Sequence, residues 1–424
     1  MATEVVVIGG GVVGVSAALI LARWGVPVVV FEKGRVAGEQ SSRNWGWIRA
    51  QGRDFREMEL MLIARRHWQS WTAEVGGRTG LQVEGVTYLA EDEETMARYA
   101  KWVEDAAPYQ LGSRVLSSAE ADAHVGQDRR RFLGGIFTPG DMHAAPDMAV
   151  GALADHAAAA GADIFEHSAV RTLEQSGGRI TGVVTEHGRI ACQSVILAGG
   201  AWCRPFLENA GAGLAQLAVG SQALATGPAP AIAPGPVGTA RAAVRPRAEG
   251  GYTVGRSGVA RFDLIPAAFA QFRTFWPTLR ARWRMLQLRL GPEFFGALGH
   301  RRWQPDQLSP FEAARALDPT PDPRLIQDIL TSAKETYPQL KGAALRGAWG
   351  GMIDVTPDEV PVIGPVGGLT GLTVASGLSG HGFGLGPGVG QLAAELATGR
   401  TTSVDPAPFD PGRFRAGRAG RAAT

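Results

Sequence analysis

Three glycines and one acidic residue near the start of the chain are spaced as in a dinucleotide-binding turn. Gly9, Gly11 and Gly14 form the pattern Gly-x-Gly-x-x-Gly, and Glu32 follows them. In this pattern the first glycine permits a tight turn, the second lets a pyrophosphate approach the backbone, and the third lets a helix pack closely on a strand. A carboxylate at the later position accepts hydrogen bonds from ribose hydroxyls. These residues therefore predict a cofactor whose pyrophosphate lies at a helix N-terminus.

The flanking sequence predicts the elements that this turn requires. Residues 4–8 form a continuous apolar run typical of a buried parallel strand, residues 16–24 have helical composition, and residues 28–32 form a second β run. Together they predict a βαβ unit with the glycines between the first strand and the helix.

Two later segments also contain glycine-rich turns. Residues 148–197 predict a helix followed by strands and lead into two glycines. A strand predicted over 372–375 leads into the glycine-rich segment 377–390, with a helix predicted over 391–398. A nicotinamide cofactor normally occupies one compact domain, whereas three separated turns are expected to meet on one extended cofactor. The arrangement therefore favours FAD over NAD.

Four motifs resemble, in the same order along the chain, those of the FAD-dependent D-amino-acid oxidase superfamily. They are residues 6–11, 37–44, 199–202 and 380–384, and the resemblance extends from about residue 4 to about residue 400. The superfamily includes D-amino-acid dehydrogenases, glycine and sarcosine oxidases, and L-amino-acid deaminases. It implies an α/β fold class in which a discontinuous Rossmann-like FAD-binding domain is combined with an α+β substrate domain built on an antiparallel sheet.

Composition shifts, together with this resemblance, give the predicted domain boundaries. The FAD-binding domain is expected to comprise residues 1–80, 145–215 and 345–404, and the substrate domain residues 81–144 and 216–344. Residues 405–424 are rich in Pro, Gly and Arg and are predicted to form a flexible tail.

The resemblance also implies the cofactor contacts. They comprise the pyrophosphate turn, the adenosine ribose site, the ribityl side, the adenine contact, and a loop at the pyrimidine end of the flavin whose amides stabilise negative charge on the reduced ring. The implied residues are Gly9, Gly11, Val12, Val13, Gly14, Glu32, Lys33, Ser41, Ser42, Asn44, Gly46, Val170, Gly200, Trp202, Gly380, His381, Gly382, Phe383 and Gly384. Noncovalent FAD is expected, because no Cys follows Cys203 and Asn44 stands where some relatives have a flavin-linked histidine.

The same resemblance implies that a hydride passes from the substrate α-carbon to flavin N5, while the protein anchors and orients the substrate. An arginine suits a carboxylate because its fork binds both oxygens. Glycine-oxidase-like and D-amino-acid-dehydrogenase-like members have an Arg before a Thr-Pro-Asp turn, but residues 349–355 contain none. Arg245 resembles the anchor of L-amino-acid deaminases and Arg49 that of sarcosine oxidases, with Arg53 and Arg247 as further candidates.

Four more residues are assigned to the catalytic end of the cofactor. His381 lies among glycines and is predicted to contact the flavin rather than only to stabilise a turn. Trp45, Trp47 and Trp349 are predicted to wall an apolar substrate pocket, although each also fits an ordinary core position.

The function predicted first is oxidative deamination of an amino acid, with a D-amino acid as the leading substrate, to a 2-oxo acid and ammonia through an imine. One alternative is an L-amino acid or a secondary amine, such as an N-alkyl amino acid or opine, which the missing Arg favours. Another is a flavin electron-transfer subunit without substrate turnover of its own. An NAD-dependent dehydrogenase ranks behind these.

Composition excludes several partner classes. The formal net charge of +2 argues against nucleic-acid binding. Two cysteines and eight scattered histidines predict neither a disulfide framework nor a metal site. The chain begins in a strand pattern without a basic leader, which predicts a cytoplasmic protein.

Two features bear on the electron acceptor. Sarcosine-oxidase-like enzymes place a Lys over the flavin to activate O2, and this chain has no Lys between Lys101 and Lys334. That absence favours a quinone or another carrier over O2. Residues 269–290 carry aromatic residues at helical spacing among arginines, which predicts a helix with its apolar face in the core. The alternative is peripheral contact with a membrane surface.

Overall fold

The computed structural model describes residues 2–127, 131–299 and 302–414. The α-helices are Val12–Arg23 (α1), Gln40–Arg43 (α2), Met58–Glu74 (α3), Glu93–Asp105 (α4), Ser118–His124 (α5), Pro146–Ala159 (α6), Cys203–Asn209 (α7), Pro266–Ala270 (α8), Phe272–Arg282 (α9), Pro310–Ala313 (α10), Pro323–Thr336 (α11) and Gly382–Ala397 (α12). The strands are Val5–Ile8 (β1), Val28–Phe31 (β2), Trp47–Ile48 (β3), Val86–Ala90 (β4), Arg114–Ser117 (β5), Gly134–Thr138 (β6), Met142–His143 (β7), Asp163–Phe165 (β8), Val170–Ser176 (β9), Arg179–Thr185 (β10), Gly188–Ala191 (β11), Ser194–Leu197 (β12), Leu217–Thr226 (β13), Val237–Gly238 (β14), Ala243–Pro246 (β15), Tyr252–Gly255 (β16), Ala260–Asp263 (β17), Leu286–Arg289 (β18), Leu345–Val355 (β19), Val362–Pro365 (β20) and Leu372–Ser376 (β21).

A six-stranded sheet with the order β20-β21-β12-β1-β2-β8 carries the glycine turn. Its strands pair in parallel except at one edge, where β20 runs antiparallel to β21. Val5, Val6 and Val7 of β1 are fully buried, as expected for a strand covered on both faces. The predicted βαβ unit is confirmed by β1, α1 and β2.

A second, ten-stranded sheet forms the other part of the molecule. Its main path is β18-β17-β13-β16-β15-β14-β4-β6-β5, with β19 paired along β13. Most neighbours are antiparallel, and β14 with β4 and β17 with β18 are parallel. The two sheets confirm the predicted fold class. The domain boundaries stay a prediction, and β19 lies in this sheet although its residues fall within the segment 345–404.

The glycine-rich segment after β21 is helical from Gly382, so the prediction that the helix starts at residue 391 is wrong. Close packing explains the difference. A Cβ on Gly386 would lie 2.7 Å from Cγ2 of Val12, and one on Gly388 would lie 2.2 Å from the carbonyl oxygen of Leu60. The glycines let α12 pack tightly against α1 and α3, and this packing outweighs their low helix propensity.

The aromatic and arginine-rich segment 269–290 is not one core-facing helix. It contains α8, α9 and the strand β18, and Phe275 is the buried residue of α9. Phe269, Trp276 and Trp283 are 60%, 50% and 61% exposed. The prediction of a core-facing apolar face is therefore wrong for most of this segment. Within the described residues, no helix combines the length and apolar character needed to cross a bilayer.

The end of the chain packs on the molecule as far as it is described. Two short 3-10 turns occupy Ala407–Phe409 and Pro411–Phe414, and Phe409 is buried. Arg413 donates to Asp358 Oδ1 at 3.0 Å. The predicted flexible tail therefore has defined contacts up to residue 414, and residues 415–424 lie outside the described residues.

Candidate active site

The glycine turn between β1 and α1 has the close backbone contacts that its sequence predicts. Gly9 has a φ of 110°, and a Cβ on it would lie 2.5 Å from the carbonyl oxygen of Ala198. A Cβ on Gly14 would lie 2.0 Å from the carbonyl oxygen of Gly9. These neighbours are backbone atoms that cannot rotate away, so only glycine fits. The chain can thus enter α1 directly from the strand.

Glu32, at the end of β2, is held beside this turn. Its Oε2 accepts a hydrogen bond from the Gly10 amide and its Oε1 one from the Gly34 amide, both at 2.7 Å. Burial raises the pKa of Glu32, and the two amide hydrogen bonds oppose that shift. The carboxylate is therefore fixed in orientation, as a ribose partner must be.

An elongated cavity begins at this turn, and its lining contains residues from all the predicted cofactor segments. The predicted residues that line it are Gly9, Gly11, Val12, Val13, Glu32, Lys33, Ser41, Asn44, Val170, Gly200, Trp202, Gly380, Gly382 and Phe383. Gln40, Phe206 and Phe311 line it as well, although none of them was among the predicted cofactor residues. Gln40 lies within the motif at residues 37–44, and Phe311 lies in the segment 309–312, which resembles that of L-amino-acid deaminases.

Five predicted contacts lie outside this lining: His381, which lines the adjoining cavity described below, and Gly14, Ser42, Gly46 and Gly384. Gly14 supports the glycine turn, as described above. Ser42 Oγ donates to the carbonyl oxygen of Glu39 at 3.2 Å, and the Gly384 carbonyl accepts from Trp68 Nε1 at 3.0 Å. Gly46 has a φ of 80° and packs against a backbone carbonyl. These residues hold the surrounding backbone.

Glu39 organises the wall of the cavity next to Glu32. It accepts hydrogen bonds from Lys33 Nζ at 2.7 Å, from Trp202 Nε1 at 3.0 Å and from the Leu317 amide at 2.8 Å. The Lys33 ammonium also lies 4.5 Å from the centre of the Trp202 ring. One carboxylate thus fixes two predicted cofactor residues and a segment far away in the sequence.

The polar groups of the elongated cavity fit a dinucleotide. Ser41 Oγ accepts from the Val12 amide at 2.9 Å, which leaves its hydroxyl hydrogen without an acceptor among the described residues. Gln40 Oε1 is buried and has no hydrogen-bond partner in the described part of the chain. With the N-terminus of α1 nearby, these groups suit a pyrophosphate and an attached polar ring.

A second cavity of about 320 Å3 adjoins the first. We call it the arginine-lined cavity, because Arg43, Arg49, Arg53 and Arg256 all line it. It shares Gln40, Asn44, Ile353, Gly380 and Phe383 with the elongated cavity, so a ligand in one can touch a ligand in the other. Trp45 and Trp47 lie in its wall together with Tyr88, which no motif indicated.

Arg49 and Arg53 are bound to backbone atoms and have no carboxylate partner among the described residues. Arg49 Nη1 donates to the carbonyl oxygen of Gln51, and its guanidinium carbon lies 5.2 Å from the centre of the Tyr88 ring. Arg53 Nε donates to the Arg49 carbonyl at 3.3 Å. Burial lowers the pKa of Arg53 to about 9, and the charge of Arg49 acts in the same direction. Arg53 therefore remains cationic at neutral pH.

Arg245 and Trp349 are placed differently from the sequence prediction, since they line neither cavity. Arg245 is buried, and it donates from Nε to the Trp45 carbonyl at 2.8 Å and from Nη2 to Thr253 Oγ1 at 3.0 Å. Trp349 Nε1 donates to the Arg43 carbonyl at 2.8 Å. Both side chains therefore lie outside the cavities and position residues of the cavity wall, Arg245 through Trp45 and Trp349 through Arg43.

His381 lines the arginine-lined cavity next to Gly380 and is held by Glu57, which sequence reasoning missed. His381 Nε2 lies 2.8 Å from Glu57 Oε1, and the Glu57 side chain is only 1% exposed. Burial lowers the pKa of His381, and the nearby Arg53 adds to this effect. The imidazole is thus neutral at pH 7. No pattern around Glu57 marks it, because the pair forms only through the fold.

The loop that carries Gly380 and His381 is fixed by the buried carboxylate of Asp354. Its Oδ2 accepts from the Gly377 amide at 2.6 Å, from Ser376 Oγ at 3.0 Å and from Gln216 Nε2 at 3.2 Å. Asp354 also lines the elongated cavity. Asp354 of β19 therefore both lines the elongated cavity and fixes the loop that follows β21.

Comparison with known proteins gives one consistent result. The family model described as FAD dependent oxidoreductase (DAO) matches residues 4–396. A glycine oxidase of Pseudomonas putida is 28% identical over 97% of this chain and 99% of its own length. The L-amino acid deaminase of Proteus myxofaciens, solved in complex with anthranilate, is 28% identical with a TM-score of 0.92, over 98% of this chain and 94% of that one. L-proline dehydrogenase from P. horikoshii is 25% identical with a TM-score of 0.81, over 98% of both chains.

Proposed function

Because the chain belongs to the FAD dependent oxidoreductase (DAO) family, it binds FAD and oxidises an amino acid or amine, and we propose that its substrate is a primary α-amino acid. The products are then a 2-oxo acid and ammonia. The observation that carries this proposal is the pair Arg49 and Arg53. Both line a cavity that adjoins the cofactor cavity, and neither is neutralised by a carboxylate of the described chain.

Bound FAD supplies a two-electron acceptor for the hydride of the substrate α-carbon. Arg49 binds the substrate carboxylate through its planar fork and so fixes the direction of the α-carbon. Trp45 and Trp47 line the cavity and supply apolar surface for the substrate side chain. His381 is neutral and therefore adds no positive charge against the substrate amino group. The imine that results is hydrolysed by water to the 2-oxo acid and ammonia.

The configuration of the α-carbon has two candidate answers. The sequence resemblance predicts a D-amino acid. The absence of an arginine in residues 349–355 and the likeness to an L-amino acid deaminase over nearly the whole chain favour an L-amino acid. We propose the L-amino acid as substrate, with the D-amino acid as its direct competitor.

A secondary amine is the main alternative substrate, and it is favoured by the likeness to L-proline dehydrogenase. The reaction then gives a cyclic or N-substituted imine, and ammonia is not released. The other alternative is an electron-transfer subunit without turnover. Arg49 and Arg53 line a cavity next to the proposed flavin site and have no carboxylate partner among the described residues, which argues against that role.

The experiment that tests this proposal measures products with the FAD-loaded protein and an artificial electron acceptor. Separate sets of L-amino acids, D-amino acids and N-methyl amino acids are supplied, and 2-oxo acid and ammonia are quantified. Equal amounts of both products from the L set support the proposal. Products from the D set alone assign the D configuration. Oxidation of only N-methyl amino acids or proline overturns the primary-amine assignment, and no oxidation in any set overturns the proposed function.

We further propose that the electrons pass to a quinone or another carrier at an anionic membrane surface. Support comes from the exposed side of the segment 269–290, which combines aromatic side chains with arginines and continues into the wall of the arginine-lined cavity at Met285. Such a combination favours an interface with anionic lipid headgroups. The exposed residues are Phe269, Phe272, Arg273, Trp276, Arg280, Trp283 and Arg284.

Sedimentation with lipid vesicles tests this acceptor proposal. The protein is expected to bind vesicles that contain anionic phospholipid and to bind zwitterionic vesicles far more weakly. The double variant Trp276→Ser and Trp283→Ser is expected to lose binding while its flavin is still reduced by substrate. Absence of binding by the unmodified protein to anionic vesicles, together with rapid reoxidation by O2, contradicts the proposal.

A further inference from the structure

The arginine-lined cavity has an unusual charge balance. Arg43, Arg49, Arg53 and Arg256 line it, and no Asp or Glu of the described residues does so. Two of these arginines are neutralised outside the cavity, since Arg43 pairs with Asp318 at 2.7 Å and Arg256 pairs with Asp328. Arg49 and Arg53 have no such partner, so two positive charges face a cavity of about 320 Å3.

The nearest buried carboxylates, behind the cavity wall, are engaged elsewhere. Glu57 Oε1 is the partner of His381 Nε2 at 2.8 Å. Asp141 accepts from the amides of Ala50 at 2.8 Å and Gln51 at 3.1 Å, and it lies 4.0 Å from Arg65. Neither carboxylate forms an ion pair with Arg49 or Arg53 among the described residues. They moderate the positive potential, but they leave both guanidinium groups able to bind a ligand.

We propose that the substrate carries two carboxylates, one bound by Arg49 and the other by Arg53. It then belongs to the acidic α-amino acids or to the α-amino acids with a carboxylate on the nitrogen substituent. This inference rests on the proposed function, because it assigns the substrate class of the same cavity. A monocarboxylate would leave one partly buried guanidinium without a counter-charge, and an unpaired buried charge is costly.

The charges of Arg49 and Arg53 allow the cavity to discriminate between ligands with one carboxylate and ligands with two. A site built to bind a charged group rejects a ligand of equal size that lacks the charge, because the partner in the site stays unpaired. An amide is such a ligand, since it matches the carboxylate in shape and removes one charge. Pairs of ligands that differ only in a carboxylate or an amide therefore test the effect of charge on binding without a change of size.

The test uses the FAD-loaded protein and two readouts. The first is calorimetric binding of succinate and of its monoamide succinamate, neither of which has an amine to oxidise. Succinate is expected to bind at least about tenfold more tightly, in line with the strength of a charge-assisted hydrogen-bonded pair. The second is anaerobic reduction of the flavin by aspartate and glutamate compared with asparagine and glutamine, in both configurations. The acidic member of each pair is expected to reduce the flavin at a lower concentration.

Variants locate the effect. Arg53→Gln is expected to remove most of the preference for succinate while changing the affinity for succinamate less than about threefold, and Arg53→Lys is expected to restore part of it. Arg66→Gln, on the exposed side of α3 and away from both cavities, is the matched control and should leave both affinities unchanged. If the Arg53 variants do not fold, the comparison of succinate with succinamate in the unmodified protein still tests the proposal.

Equal affinity for succinate and succinamate overturns the inference, because it means that both guanidinium groups bind a single carboxylate. Faster reduction by neutral amino acids overturns it as well, while leaving the proposed function intact. Succinate can bind preferentially while no amino acid or N-carboxyalkyl amino acid reduces the flavin. In that case the proposed function is wrong, and only the preference of the cavity for a dicarboxylate is supported.

Discussion

Arg49 and Arg53 are held by backbone carbonyls, so their guanidinium groups are oriented before any substrate arrives. Orientation of this kind lowers the entropy lost on binding. Arg245, in contrast, donates its hydrogen bonds to Trp45, Pro246 and Thr253. It therefore acts on the cavity only by supporting residues of the cavity wall. The two classes of arginine are expected to respond differently to substitution.

Substitution of Arg49 tests its direct role. Arg49→Gln is expected to lower kcat/KM by about 10- to 100-fold, because one charge-assisted bidentate contact to the carboxylate is lost. Arg245→Gln is expected to lower the melting temperature and to affect kcat/KM mainly through this loss of stability. Steady-state kinetics and thermal unfolding of both variants check this. An Arg49→Gln enzyme with unchanged kcat/KM contradicts the assignment.

The His381–Glu57 pair predicts a pH dependence of stability. Burial lowers the pKa of His381 below its ordinary value of 6.5, so the unfolded chain binds a proton there at a higher pH than the folded chain does. This contribution to the free energy of unfolding is complete above pH 6.5 and is lost as the pH falls toward the lowered pKa.

Urea denaturation of the unmodified protein and of His381→Gln between pH 5 and 8 measures this contribution. The difference in unfolding free energy between the two proteins is expected to shrink as the pH falls. The pKa values of His67, His124 and His143 are also lowered. Their contributions to the unfolding free energy cancel in the difference, because both proteins contain these residues. A difference that grows toward low pH would contradict the neutral state of His381.

At the level of elements, α12 depends on glycines that bring its backbone against α1 and α3. Gly388→Ala would place a Cβ 2.2 Å from the carbonyl oxygen of Leu60, and it is expected to destabilise the protein by about 1–3 kcal/mol. Gly151→Ala in α6 is the matched control. Its Cβ has open space, and this change is expected to stabilise by about 0.5–1 kcal/mol. Denaturant unfolding of both variants checks the contrast, and equal effects would contradict it.

Sequence reasoning worked for elements whose residues are contiguous. The β1–α1–β2 unit follows from local patterns, because glycine spacing and β-branched runs have direct structural causes. The predicted cofactor residues outside this unit came from the family resemblance and not from local patterns. Sequence reasoning failed for the start of α12, where packing on other helices decides, and for α9, where Phe272 and Trp276 are exposed and only Phe275 is buried. Glu57 and Tyr88 could not be found, since their places in the site depend on contacts between distant segments.

At the level of the whole molecule, the segment of residues 303–318 packs beside the elongated cavity, where Arg315 and Leu317 contact Lys33 and Glu39. Glu312 Oε1 accepts from Arg171 Nη2 at 2.6 Å, and Trp303 Nε1 donates to the Arg171 carbonyl at 2.7 Å. Phe311, which lines the elongated cavity, meets the Trp202 ring edge-on at 5.5 Å. Although burial raises it, hydrogen bonds from Arg171 and Ser309 hold the pKa of Glu312 down to about 2.

Breaking this connection is expected to weaken FAD binding. Glu312→Gln removes the charge of the ion pair with Arg171 and should raise the dissociation constant of FAD by about tenfold, since Phe311 is then less firmly held. Glu174→Gln, which breaks an ion pair with the exposed Arg189, is the control and should have little effect. Titration of the apoprotein with FAD, followed by flavin fluorescence, measures both. An unchanged affinity in Glu312→Gln contradicts a role of this segment in cofactor retention.

The central claim is that the arginine-lined cavity delivers an α-amino acid to a bound flavin. It is tested most directly by the visible absorbance of the purified protein under anaerobic conditions, before and after separate mixtures of L- and D-amino acids are added. Oxidised flavin is expected at the start, and the L mixture is expected to bleach it. Bleaching by the D mixture alone reverses the proposed configuration, whereas flavin that is present but bleached by neither mixture contradicts the central claim.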